Sequence, residues 1–107
     1  MKKYAVLVTP EAERGILAAF RYIHEHSPLR AAQWLRALDA KLDTLEHYPK
    51  RCSLAREHKY FDAPLRQLVF RQHRIVFRVE VPSHVVRILY VVHGKQRTVG
   101  ELDEGPD

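Results

Sequence analysis

Apolar positions follow one period in the first half of this chain and another in the second. Lys3 to Val8 is short, apolar and rich in β-formers, which predicts a strand. Both parities are apolar there, Tyr4, Val6, Val8 and Ala5, Leu7, so the pattern predicts a central strand covered on both faces. Thr9-Pro10 then opens a helix, with Thr9 as N-cap, Pro10 at the first helical position, and Glu11 and Glu13 near the positive end of the dipole. Ala12, Ile16, Phe20 and Ile23 recur at helical spacing, flanked by Leu17 and Ala19, and the helix should end near His26. Ser27-Pro28 repeats the start signal. The second helix should run to about Tyr48, where Pro49 stops it. Its stripe is Ala31, Leu35, Leu38, Leu42 and Leu45, with Trp34 beside it. So tight a link makes the two helices an antiparallel hairpin whose stripes face a common sheet.

Past Pro49 the period changes. Lys50 to Asp62 is irregular, polar and basic, and connections of this length are often functional. Three strands follow, about Leu65–Phe70, His73–Val81 and Val85–Val92, joined by short turns as an antiparallel meander. In the last strand, Val86, Ile88, Tyr90 and Val92 should face the helices, and Arg87, Leu89, Val91 and His93 the other side. Alternation in the strand before it puts Arg74 and Arg78 on the same side as Arg87, with His93 at the end of that face. The predicted fold class is α+β, in the order β-α-α-β-β-β. An antiparallel sheet carries the N-terminal helical hairpin on one face, and its other face is half open and arginine-rich.

Composition narrows the class. A chain of 107 residues, 46% of them hydrophobic, reads as one globular domain over 1–100 with a short tail, 101–107. The lone Cys52 rules out an internal disulfide and fits a reducing, cytoplasmic setting. No apolar run approaches the roughly 18 residues of a membrane span, and the stretch after Met1-Lys2-Lys3 is too short for an export signal. The net charge of +5 is unevenly placed. Residues 49–100 hold eleven Lys/Arg against three acids, whereas 101–107 hold four acids and no base. A basic half calls for an acidic partner, whether nucleic acid or protein. His24 and His26 stand at i, i+2 on a helix and do not face one way, so no metal or other cofactor is expected.

With the order of elements in place, the local phrases become specific together. Thr9-Pro10-Glu11-Ala12-Glu13, the leucine-striped helix ending at Tyr48-Pro49, Leu65-Arg66-Gln67-Leu68, His73-Arg74-Ile75-Val76-Phe77 and Val91-Val92-His93-Gly94-Lys95 resemble the RelE/ParE superfamily of bacterial type II toxin–antitoxin toxins. The likeness covers residues 4 to about 98. It implies a toxin that inhibits growth, a role in plasmid stabilization, and a cognate antitoxin as partner. RelE-type members cut mRNA in the ribosomal A site, whereas ParE-type members act on DNA gyrase and are not nucleases.

Cleavage through a 2′-hydroxyl needs a proton acceptor, a donor to the leaving oxygen and a cation for the phosphorane. On the RelE-type reading the resemblance assigns these catalytic tasks to Arg74, His93 and Glu57. The chain departs from that pattern at Gln96, where an arginine often follows the Gly-Lys pair, with Arg97 one further on. It also lacks any aromatic residue after Val92. The long hairpin favours the ParE-like branch, which needs no acid–base set. An RelE-like endoribonuclease and a non-toxic antitoxin-binding remnant are the alternatives. Target or nucleic-acid contact is expected from Lys50, Arg51, Arg56, Arg66, Arg78, Arg87, Lys95 and Arg97. Trp34 and Leu38 are expected in the core or against the antitoxin. A plainer reading also stands, in which Arg74 pairs with an acid such as Glu57 or Glu80 and His93 simply ends a strand.

Overall fold

The computed structural model describes residues 3–61 and 64–94; Lys95, Arg97 and the acidic tail lie outside them. Its elements are β1 (Ala5–Val8), α1 (Pro10–His26), α2 (Pro28–Asp43), β2 (Arg66–Phe70), β3 (His73–Glu80) and β4 (Val85–His93). Two helices pack on one face of a four-stranded sheet of order β1-β4-β3-β2, as the α+β reading anticipates.

The helix starts behave as their sequences require. Thr9 Oγ1 accepts from the Ala12 amide at 3.2 Å, and Pro10 fills the first position of α1. Ser27 serves both helices. Its amide donates to Ile23 O, closing α1, and its hydroxyl accepts from the Arg30 amide at 3.1 Å, opening α2. A single extended residue therefore reverses the chain, and the hairpin needs no glycine. The second helix stops earlier than predicted. After Asp43 the chain tightens into a 3₁₀ turn, Thr44–Glu46, and Tyr48 then takes a left-handed conformation before Pro49. Arg51 folds back over this exit, donating to the carbonyls of His47 at 2.8 Å and Tyr48 at 3.1 Å. It thereby fastens the turn that follows the helix, where the Arg51 amide also donates to Tyr48 O at 3.0 Å.

Two expectations about the sheet are corrected. First, β1 is an edge strand, not a central one. It pairs in parallel with β4 alone, making the sheet mixed though mostly antiparallel. Its two apolar parities have separate destinations. Val6 packs into the core under the hairpin, whereas Leu7, aligned with Arg87, faces the opposite side and stays 44% exposed. Second, β4 carries a bulge. Phe77 pairs with Ile88 but Val76 pairs with Tyr90, which leaves Leu89 as an extra residue. One extra residue inverts the facing of everything beyond it. Val86 and Ile88 lie under the helices as predicted, but past the bulge it is Val91 that joins the hairpin core, and Tyr90 packs on the far face. Thr9 holds the bulge in place: its amide and its hydroxyl both donate to Ile88 O, at 3.1 and 2.8 Å.

One side chain thus caps α1 and ties it to the irregular point of β4. Thr9→Val keeps the shape and removes both bonds. It should lower the unfolding free energy by about 1–2 kcal/mol in urea titration, the range of a lost cap, while Thr9→Ser should stay close to the parent.

The main core lies between hairpin and sheet, built from Trp34, Leu38, Leu42, Leu45, Phe70, Ile75, Phe77, Val86, Ile88 and Val91 with smaller residues. A second, smaller core of Ala55, Leu65 and Val76 lies on the opposite face, with Phe61, Leu89 and Tyr90 against it. The basic connection after Pro49 supplies this cover. Its backbone is tied to the sheet edge by Ala55 N to Leu65 O at 2.7 Å and Gln67 N to Ser53 O at 3.0 Å. The face predicted to be half open is therefore half covered by the loop, and the uncovered half lies toward β1.

Candidate functional site

Three clusters of chemistry-bearing side chains sit on this frame, two on the face that the loop half covers and one on the hairpin side. Under the loop, Arg74 points from β3 into a bidentate pair with Glu57, with N–O distances of 2.6 and 2.9 Å. Gln67 Oε1 accepts a further bond from the guanidinium at 3.2 Å. Arg74 is 5% exposed and Glu57 fully buried. A guanidinium so held is turned inward, with little of its surface exposed. Arg66 does related work nearby, donating to Cys52 O at 2.7 Å and fastening the loop to β2. Cys52 is itself buried in the core, where desolvation pushes its thiol upward despite Arg51 and Arg66, away from the reactive thiolate form.

The uncovered half of the same face carries Arg78 and Arg87, directly opposite each other on β3 and β4. Both donate to Glu80, Arg78 at 2.7 and 3.1 Å and Arg87 at 2.9 and 3.1 Å. These bonds, those of Arg87 first, hold the Glu80 carboxyl down at about 2. Like charges facing each other across a ladder would otherwise repel. A depressed carboxylate contributes stability above its unfolded pKa and loses it as pH falls through the folded one. The cluster should therefore outlast ordinary carboxylates in acid: the Glu80 side-chain carbon signal in an NMR titration should stay that of a carboxylate until pH nears 2. A midpoint near 4 would mean that the bridge does not form. One carboxylate against two guanidinia leaves this patch positive, beside exposed Leu7.

The third cluster lies on the hairpin side. The register pairs His73 with His93, and their rings meet edge to face with centroids 5.4 Å apart. Trp34 contacts both His73, at 5.5 Å, and Phe70, at 5.9 Å. Burial, and secondarily the neighbouring His93, push His73 below the usual imidazole range, so it stays neutral at pH 7. These rings border a groove of about 840 Å³ between α1 and the outer ends of β3 and β4. Gly15 and Ala18 of α1 form one wall, Trp34 and Val91 the inner side, and Arg71 and His93 the end.

The sequence-predicted residues are thus dispersed. Arg74 and Glu57 meet, as the plainer reading anticipated. His93 does not join them, because the bulge turns it to the helix side of the sheet while Arg74 stays on the loop side. Arg78 and Arg87 share the open half-face as expected. Arg51 and Arg66 bond backbone carbonyls, and Lys50 is exposed. Arg56 is exposed and reaches Gly94 O at 3.4 Å. Lys95 and Arg97 fall outside the described residues. Leu38 has no exposed surface and is core, whereas Trp34, nearly buried, still borders the groove. Two residues escaped the sequence reading, Gly15 and Arg71. A glycine inside a strong helical pattern was the available signal for the first; nothing distinguished the second. Among the described residues no group of three metal-ligating side chains gathers, and no helix is long and apolar enough to cross a membrane.

Comparison with known proteins bears on the whole chain. No curated protein sequence matches it. Its fold is similar to a solved structure of the chromosomal ParDE toxin–antitoxin system from Pseudomonas aeruginosa. The TM-score is 0.66 at 17% identity, over 85% of this chain and 96% of that one. It is also similar to a chain of the toxin–antitoxin complex RelBE2 from Mycobacterium tuberculosis. There the TM-score is 0.56 at 23% identity, over 87% of this chain and 93% of that one. Likeness at such identities speaks for the fold. The family is shown by sequence: the model for the ParE toxin of type II toxin–antitoxin systems, parDE, matches residues 6–98, nearly every element described above. The chain belongs to the ParE toxin family of type II toxin–antitoxin systems.

Proposed function

We propose that this protein arrests bacterial growth by binding DNA gyrase, without cutting nucleic acid, and that a cognate antitoxin neutralises it. One observation carries the non-enzymatic half of this reading. The arginine that would have to steady a reacting phosphate is buried against Glu57, and the histidine that would have to move protons lies across the sheet from it. Charge stabilisation and proton transfer must meet at one reacting centre. What remains for a target is surface: the positive half-face of Arg78 and Arg87, the exposed lysines and arginines of the loop, and the groove beside α1. Such surfaces steer acidic partners and give specificity by complementarity. The antitoxin partner is supported by the family and by structural relatives that were solved as toxin–antitoxin systems. An acidic amphipathic segment suits a groove with apolar walls and a cation, Arg71, at its end.

Inducible expression in bacteria tests the reading. Growth arrest should come with a DNA-damage response and intact mRNA on translating ribosomes, and His93→Gln should arrest growth as fully as the parent. Ribosomal mRNA cuts that vanish in His93→Gln would overturn it in favour of a ribonuclease. Absence of any arrest would leave antitoxin binding as the sole activity.

A further inference from the structure

We propose that the acidic segment 101–107 docks, within its own chain, into the groove between α1 and the outer ends of β3 and β4. The inference concerns the chain alone and stands whichever target the toxin has.

The groove offers an unspent cation. Of the two arginines that border it, Arg14 already pairs with Glu11 at 3.0 Å. Arg71 has no carboxylate partner among the described residues; its guanidinium carbon lies 5.2 Å from the centroid of the Phe70 ring. Its backbone is in the left-handed region, φ 54°, at the two-residue turn between β2 and β3. Glycine or asparagine takes that conformation at less cost. An arginine kept there is a cation kept at the end of the groove.

The chain leaves the sheet at the same place. The strand β4 ends at His93, and the Gly94 amide donates to Gln72 O at 2.7 Å, beside Arg71. Residues 95–100 can span up to about 20 Å. The groove wall from Glu11 to Tyr22 is about 17 Å long at the helical rise. Every part of it is within reach of Glu101. The segment has the matching chemistry: four acids in seven residues, with Leu102 among them for the apolar wall. Tethering raises the local concentration, so a contact too weak to hold a free peptide suffices.

The other basic surface fits less well. Arg78 and Arg87 already share Glu80, and they lie near the opposite end of β4 on the far face of the sheet.

The test uses the full chain and two surface variants. One carries E101Q, D103N, E104Q and D107N; the other is R71Q. In ¹H–¹⁵N spectra, each should move the amides of Gly15, Ala18 and Val91 in the same direction by more than a line width. The combined variant should move them no further than either alone, because one contact is being broken twice. High salt should abolish most of the difference. Trp34, the only tryptophan, gives an independent readout through its emission. Amide changes confined to the substituted positions would overturn the proposal. Movement of Arg78 and Arg87 in their place would also overturn it and assign the segment to the far face.

Discussion

Glu57→Ala should cost about 3–5 kcal/mol of unfolding free energy, the typical penalty for stranding one member of a buried ion pair. The reason lies in what remains, not in what is removed. Arg74 cannot shed its proton. Without the carboxylate it is a full charge in a nearly dry site, with Gln67 as its remaining side-chain acceptor among the described residues. Relief requires water, which gains room as the segment from Pro49 to Phe61 lifts from the sheet. That motion would also expose Ala55, Leu65 and Val76. The loss should therefore appear both as a lower urea midpoint and as faster hydrogen exchange at Ala55 and Gln67, whose amides tie the loop to the edge. Replacing both partners, Glu57→Leu with Arg74→Met, should recover most of the loss, since an apolar pair of similar volume carries no stranded charge. A single variant within about 1 kcal/mol of the parent would show that the pair is not desolvated as described.

Gly15→Ala should destabilise the protein by about 1–3 kcal/mol, the scale of a forced overpacking, although the same change in an exposed helix stabilises. In a free helix, alanine gains about 1 kcal/mol over glycine. Here a Cβ on Gly15 would sit well inside contact distance of the Val91 carbonyl oxygen and 3.3 Å from its carbon. Both atoms are backbone, so no side chain can rotate aside; either α1 must move off β4 or the bulged end of the strand must shift. Thr9 resists the second course, because it clamps the bulge from the start of the same helix. Thermal unfolding of Gly15→Ala and of Ala18→Gly, which borders the same groove but has no such contact, separates the effects. Both substitutions should lower the midpoint, the second only by its lost helix propensity. A higher midpoint for Gly15→Ala would mean that α1 does not approach β4 this closely.

Neither residue announces its role in the chain. Glu57 is one acid in a basic, irregular stretch, and its meeting with Arg74 spans 17 positions. Pattern can suggest that an arginine on a strand seeks an acid, but not which one, because the path of a loop is set by what it covers. Gly15 interrupts an otherwise good helix, a visible local cost whose tertiary return lies on a strand 76 positions later. The displacement of His93 from Arg74 has the same origin. A period-two alternation read along β4 holds only while no residue is inserted, and Leu89 is inserted. The bulge carries no turn residue or glycine of its own to signal it; what stabilises it is Thr9, already accounted for as a helix cap.

What the chain by itself determined is therefore everything governed by short-range chemistry. Caps at Thr9 and Ser27, proline at the two helix starts, helical and alternating periods, and the turns between the last strands set the elements and their order, with bounds within a residue or two except at the end of α2, which falls well before Tyr48. The same signals, taken in sequence, were enough to indicate the family. Only the tertiary structure decided which neighbour β1 takes, where β4 shifts its register, which half of the sheet the basic loop covers, and which charges are consumed in burial. Those outcomes depend on contacts between segments far apart in the chain, whose energies arise only once both are in place. The surface left for partners is the remainder after those internal pairings are made.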